Sequence, residues 1–235
     1  MTDAKQTPEL GPKRDALHVA FVLDKSGSMT PLAPAVVAGF DDFLDELRAD
    51  GGDTDFSMTL FDTTLRRVHL AIPLEHVPSL ATSGYHPGGG TALLDAIGET
   101  VISTDERLAR AGCGDEKVLV VVLTDGYENA SRKHTPSSLA ELISRYQARP
   151  NWTFAFLGAA HDDVEDVRDF AELLSFTREN AMRWSPDAAS ARKSMHALGK
   201  AARQRRSAVS MKSGRLFDDA GQTEADYREH SGGRS

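Results

Sequence analysis

From Leu17 onward the chain falls into short apolar runs separated by stretches with helical spacing. Leu17-His18-Val19-Ala20-Phe21-Val22-Leu23 is nearly continuous in apolar character, the pattern of a strand covered on both faces. Pro31 and Pro34 open a helix to about Arg48, with Val36, Val37, Phe40, Phe43, Leu44 and Leu47 as its apolar stripe, and Gly51-Gly52 stops it. Phe56–Phe61 reads as a second strand. Asp62-Thr63-Thr64 then makes a hairpin turn into Leu65–Ile72, an antiparallel edge strand guarded by Arg66, Arg67 and His69. Residues 73–90 are irregular and end in Gly88-Gly89-Gly90, after which a helix runs from Thr91 to about Arg110. Lys117–Leu123 is the clearest buried strand. Further helices are predicted over Pro136–Arg149, Asp162–Leu174 and Pro186–Arg205, with strands at Trp152–Leu157 and Ser175–Arg178. Strands alternating with helices predict an α/β fold, a mostly parallel sheet with helices on both faces.

The same pattern divides the chain into a flexible leader (1–15), a folded domain (16–205) and a basic, then polar, disordered tail (206–235). A length of 235 residues suits one domain, large enough to hold together without disulfides or zinc. Cys113 is the only cysteine, which excludes an internal disulfide and a cysteine-rich zinc site. No apolar run approaches the roughly 18 residues of a membrane span, and the polar start lacks a signal-peptide core. A soluble cytoplasmic protein is the expectation.

Net charge refines the choice of partner. The formal charge is −8, which argues against nucleic acid as the main partner. Yet Arg192, Lys193, Lys200, Arg203, Arg205, Arg206, Lys212 and Arg215 fall in a stretch without any acidic residue. The reading favoured here docks the last helix by its apolar stripe and turns its basic side toward an acidic body. No aromatics are interleaved there, as nucleic-acid binding would want.

Three spots carry candidate chemistry, each just past a strand or opening a helix. They are Asp24-Lys25-Ser26-Gly27-Ser28-Met29, Gly89-Gly90-Thr91 and Thr124-Asp125-Gly126. In an open parallel sheet, ligands gather outside the carboxyl ends of the strands, where strand order reverses. If the first strand and the Val-rich strand are neighbours there, Asp24 and Asp125 face each other and Thr91 enters from the loop between. Two carboxylates and three hydroxyls are hard oxygen donors, suited to Mg²⁺ or Mn²⁺ rather than zinc or copper.

The pattern Asp24-x-Ser26-x-Ser28, followed by Thr91 and the strand-terminal Asp125, resembles the von Willebrand factor type A domain with its metal-ion-dependent adhesion site, in a stand-alone bacterial form. The resemblance covers roughly residues 16–205. It implies a Rossmann-like, doubly wound sheet with one antiparallel edge strand and a divalent ion at its top. Ser26, Ser28 and, depending on state, Thr91 would touch that ion directly. Asp24 and Asp125 would act mostly through water, one of them ligating directly in some states. An acidic side chain of a partner protein would fill the open position, a binding mechanism with no chemical step and hence no enzyme. Lys25 is expected to point to solvent and, with Arg132 and Lys133, to steer the acidic partner; Glu128 is expected to be a solvated loop carboxylate.

Enzyme readings find less support. The chain has no nucleophile elbow around Ser26 or Ser28 and no phosphate-binding loop, and its histidines form no close pair. A metal-dependent hydrolase or phosphatase would need more direct carboxylate ligands than Asp24, Asp125 and Glu128. An assembly factor of the tellurium-resistance kind rests on fold analogy alone.

Overall fold

A computed structural model describes residues 16–126, 128–159, 167–184, 188–207 and Leu216. The sheet is built from β1 (Leu17–Asp24), β2 (Thr54–Phe61), β3 (Leu65–Pro73), β4 (Lys117–Thr124), β5 (Trp152–Ala159) and β6 (Ala181–Trp184). Between them run α1 (Ala33–Arg48), α2 (Leu93–Arg110), α3 (Pro136–Gln147) and α4 (Val167–Leu173), and α5 (Ala188–Ser207) follows β6. Strand order is β3-β2-β1-β4-β5-β6, with only the β2–β3 pair antiparallel. This is the expected doubly wound sheet with one antiparallel edge strand. The order reverses between β1 and β4, so the crevice above those two strands is the switch point.

Pleat parity divides the core. Leu17, Val19, Phe21 and Leu23 face one layer with α1 and α5, while Ala20 and Val22 face the other with α2, α3 and α4. Phe21 is fully buried, with Phe40 edge-on at 5.4 Å and Phe43 and Phe56 at 5.5 and 6.2 Å. Every residue of β1 is buried, His18 included, which explains its nearly continuous apolar run.

The basic last helix lies on acidic α1. Arg192 pairs with Asp42 at 2.6 Å, Arg203 with Glu46 at 2.8 Å and Arg206 with Asp50. Arg206 is also buried, donating to Thr54 Oγ1 at 2.7 Å and the Gly52 carbonyl at 3.1 Å. Three of the basic residues that stood out in the sequence, Arg192, Arg203 and Arg206, are therefore paired with acidic groups of the fold, while Lys212 and Arg215 lie outside the described residues. Leu216 is buried and its amide donates to Asn180 Oδ1 at 2.9 Å. The leader (1–15) and the remainder of the tail lie outside the described residues.

Two predicted elements shift. The last strand is Ala181–Trp184 rather than Ser175–Arg178. Ser175 takes a left-handed φ of 63° and Arg178–Asn180 form a 3₁₀ turn, so the chain reaches the sheet edge later. Thr91 precedes α2 instead of starting it, and Ala92 occupies the N-cap position. The start predicted for α4, at Asp162, lies outside the described residues.

Candidate metal centre

Equal strand lengths bring the candidate residues together. Asp24 ends β1 and Thr124 ends the neighbouring β4, with Leu23 opposite Leu123 in register. Both side chains point to the same layer, and Thr124 Oγ1 donates to Asp24 Oδ2 at 2.5 Å. The other carboxylate oxygen of Asp24 accepts the Ser26 amide at 2.6 Å, which curls the loop back over the strand end. That curl sets Ser26 Oγ 3.1 Å from Ser28 Oγ, and Ser28 Oγ donates to Asp125 Oδ1 at 2.8 Å. A Cβ added at Gly126 would lie 3.5 Å from both Ser28 Oγ and Thr91 Oγ1, which puts those hydroxyls no more than twice that distance apart. All five predicted residues thus share one crevice, where Asp24, Ser26, Thr91 and Asp125 are buried and Ser28 is exposed.

The donor set fits a small hard cation. Neighbouring ligands of an octahedral ion at about 2.0–2.1 Å stand about 2.9 Å apart. The Ser26–Ser28 and Ser28–Asp125 oxygen separations of 3.1 and 2.8 Å bracket that spacing. Electrostatics point the same way. Burial pushes the Asp24 carboxyl above the usual range, hydrogen bonds from Thr124 and Ser26 oppose that, and the nearby Asp125 charge adds to it. A cation would relieve this cost. Ser26, Ser28, Thr91, Asp24 and Asp125 are the groups that would hold it, supplying hard oxygens and charge balance.

The surrounding loops are fastened by residues the sequence reading did not select. Asn129 Oδ1 accepts the Thr91 amide at 2.8 Å, while the Thr91 carbonyl accepts the amides of Asn129 and Ala130 at 3.0 and 3.2 Å. Buried Tyr85 donates its hydroxyl to the Asp24 carbonyl at 2.9 Å. Gly89, at φ +84°, brings its carbonyl to the Gly27 amide at 3.1 Å, a backbone conformation that favours glycine. Asn129 lies just past the Thr124-Asp125-Gly126 motif and could have been found by extending it; Tyr85 has no local signal.

Two expectations about charge are corrected. Lys25 is half-buried and ion-paired with Asp62 rather than pointing to solvent, and Lys133 pairs with Glu99 at 2.9 Å. Neither presents a bare cation. Glu128 is not simply solvated either. It accepts the Ala130 and Ser131 amides at 2.8 and 2.6 Å and the Leu94 amide, in the first turn of α2, at 3.0 Å. Asp95 completes the fastening by accepting the amides of Arg132, Lys133 and His134 at 2.8–2.9 Å. Although desolvation opposes it, those three amides hold the Asp95 carboxyl below its ordinary range. Asp95→Ala leaves the three donors without their acceptor and is expected to cost about 2 kcal/mol, read from denaturant unfolding. An unchanged midpoint and slope would show that water replaces the carboxylate freely.

A second group of metal-ligating types lies at the opposite end of the sheet, where the ligand atoms of His18, Asp55 and Glu116 fall within 4.8 Å of one another. Arg107 donates to His18 Nδ1 there at 2.9 Å. The guanidinium already supplies positive charge beside His18 and occupies its Nδ1 lone pair, so this group is not assigned to a metal.

Sequence comparison finds no matching family model and no matching curated protein. Solved structures do match, and the fold they define is that of the von Willebrand factor type A domain. One is a von Willebrand factor type A protein from Catenulispora acidiphila, 19% identical with TM-score 0.58 over 80% of this chain and 42% of that one. Proximal thread matrix protein 1 from the mussel byssus, with its adhesion-site motif occupied by zinc, is 18% identical with TM-score 0.54 over 79% of this chain and 45% of that one. The corresponding domain of the pilus tip protein Mfa5 from Porphyromonas gingivalis is 11% identical with TM-score 0.52 over 77% and 94%. The chain therefore spans less than half the length of the first two. The resemblance carried by the motif residues and the fold agree. No helix among the described residues is long and apolar enough to cross a membrane.

Proposed function

We propose that this chain is a divalent-metal-dependent protein-binding module of the cytoplasm. Asp24, Ser26, Ser28, Thr91 and Asp125 hold Mg²⁺ or Mn²⁺ at the switch point of the sheet, and an acidic side chain of a partner protein completes the ion's shell. The observation that carries this reading is the hydroxyl–hydroxyl–carboxylate array with oxygen separations of 3.1 and 2.8 Å at the end of β1. A shell with several neutral hydroxyls leaves the ion much of its charge, and a carboxylate oxygen is a natural further hard ligand. The structural relative with a zinc-occupied motif supports a divalent ion at such a position.

The protein acts by binding and performs no chemical step. A two-metal hydrolase clamps attacking and leaving oxygens with several carboxylates. Here Glu128 is committed to backbone amides, which leaves Asp24 and Asp125 as the carboxylates of the crevice. The test has two arms. Calorimetry should show uptake of Mg²⁺ and Mn²⁺, and immobilised protein should retain a partner in Mg²⁺ and release it in EDTA, with loss of retention when one acidic residue of that partner is neutralised. Retention unaffected by EDTA, or Mn²⁺-dependent turnover of a phosphate ester, would refute the reading.

A further inference from the structure

The loop that carries Ser26 and Ser28 also carries a cation, Lys25, between Asp24 and Ser26. An ammonium group set free there would repel a divalent ion across a short, partly desolvated distance. The fold disposes of it in a specific way. Parallel register places Asp24 opposite Phe61, so Lys25 and Asp62 are the first residues beyond two adjacent strands. The Lys25 amide donates to the Phe61 carbonyl at 2.7 Å, and the Lys25 side chain turns onto the Asp62 carboxylate. Both side chains are only 17% exposed.

Asp62 sits in a turn that also grips the loop leading to Thr91. Its Oδ1 accepts the Thr64 amide and hydroxyl at 2.7 and 2.9 Å, which fixes the turn. Its carbonyl accepts the Ala92 amide at 2.8 Å, and the neighbouring Thr63 hydroxyl accepts the Gly90 amide at 2.9 Å. Meanwhile the Lys25 carbonyl accepts the Gly88 amide at 2.7 Å. The β2–β3 turn therefore touches both segments that carry the hydroxyl donors, on either side of the crevice.

We infer that Asp62 is a positioning residue for the metal centre, acting through Lys25: it withdraws the one cation built into the donor loop and ties that loop to the segment bearing Thr91. This rests on the metal site proposed above. Two effects follow for the site. The ion feels no bare positive neighbour from its own loop, and the pair shows the partner little net charge, which leaves the ion as the local attraction for an acidic group.

The experiment is calorimetric titration of Mn²⁺ and Mg²⁺ into the full chain as wild type, Asp62→Asn, Lys25→Met and the double variant, with thermal unfolding of each in chelator. Asparagine keeps an acceptor for Thr64 but frees the ammonium, so Asp62→Asn should bind about tenfold more weakly. Lys25→Met alone should bind as tightly as wild type or more so. The double variant should return to within about threefold of wild type, because removing the freed charge cancels the defect. A purely architectural role for the pair would make the double variant no better than Asp62→Asn, and that result overturns the inference, as does wild-type affinity in Asp62→Asn. If Asp62→Asn does not fold, Lys25→Met decides alone, since a large loss of affinity there contradicts the repulsion argument. Wild-type protein that binds neither ion overturns the metal site itself, an outcome distinct from wild-type binding with an unaffected Asp62→Asn.

Discussion

Asp125→Ala is expected to weaken Mg²⁺ and Mn²⁺ binding by about a hundredfold, the upper end of what losing a ligand-orienting carboxylate costs. The side chain is buried at the end of β4 and engages Ser28 Oγ at 2.8 Å, so no water-filled substitute recovers its charge in the same place. The fold should survive. The crevice lies on the rim of the sheet, while the core is built from the strand and helix faces below it. In chelator the variant should melt at or above the wild-type temperature, because the Asp125 charge is one of the influences that penalise ionised Asp24. Addition of Mg²⁺ should then raise the melting temperature of wild type and leave that of the variant unchanged. Wild-type affinity in the variant would remove Asp125 from the site, and outright unfolding of wild type by chelator would make the ion structural.

The second large effect concerns acid. Burial, reinforced by the Arg107 charge, lowers the His18 pKa to about 3, and the side chain has no solvent exposure. The half-buried carboxylates of Asp55 and Glu116 pull the other way. They are outweighed because protonation must also displace the Arg107 hydrogen bond from Nδ1. The unfolded chain takes up a proton at His18 near pH 6.5 and the folded chain does not until about pH 3. The depressed value therefore destabilises the fold progressively as pH falls through that window and has no effect above it. Between about pH 7 and pH 4 the loss attributable to His18 is about 3 kcal/mol. His18→Asn, whose amide oxygen can accept from Arg107, should flatten that part of the curve. Urea unfolding at stepped pH measures both; parallel slopes for variant and wild type would show that another group governs the acid limb.

The predicted layout failed in a physically instructive place. The sequence places the last strand at Ser175–Arg178, where Phe176 and Thr177 are residue types that suit strands. The left-handed turn at Ser175 delays the pairing, and Ala181–Trp184 joins β5 instead, with Phe156 opposite Ala181. A four-residue edge strand leaves too short a pattern to read, and only its neighbour sets its register. Likewise the acidic side of α1 and the basic side of α5 are each visible as charge. That Arg192 meets Asp42 and Arg203 meets Glu46 follows from helix packing across 150 and 157 residues of chain.

What the sequence determined by itself is local or periodic. The nearly continuous apolar runs of β1 and β4 required strands buried on both faces, and the serines after Asp24, the threonine after three glycines and the aspartate just past β4 announced an oxygen-rich site at strand ends. Tertiary structure alone decided how those groups are held. Tyr85 on the Asp24 carbonyl, Asn129 on Thr91, Glu128 and Asp95 on the amides of one loop, and Asp62 on Lys25 are contacts between segments far apart in the chain. The exceptions are the short Glu128 bonds to Ala130 and Ser131. Periodicity reports which face of an element is buried, and motif spacing reports which donors a turn can offer. Neither encodes the partner of a polar side chain, because that is fixed by strand order and register, which bring the ends of β1, β2 and β4 to the same level.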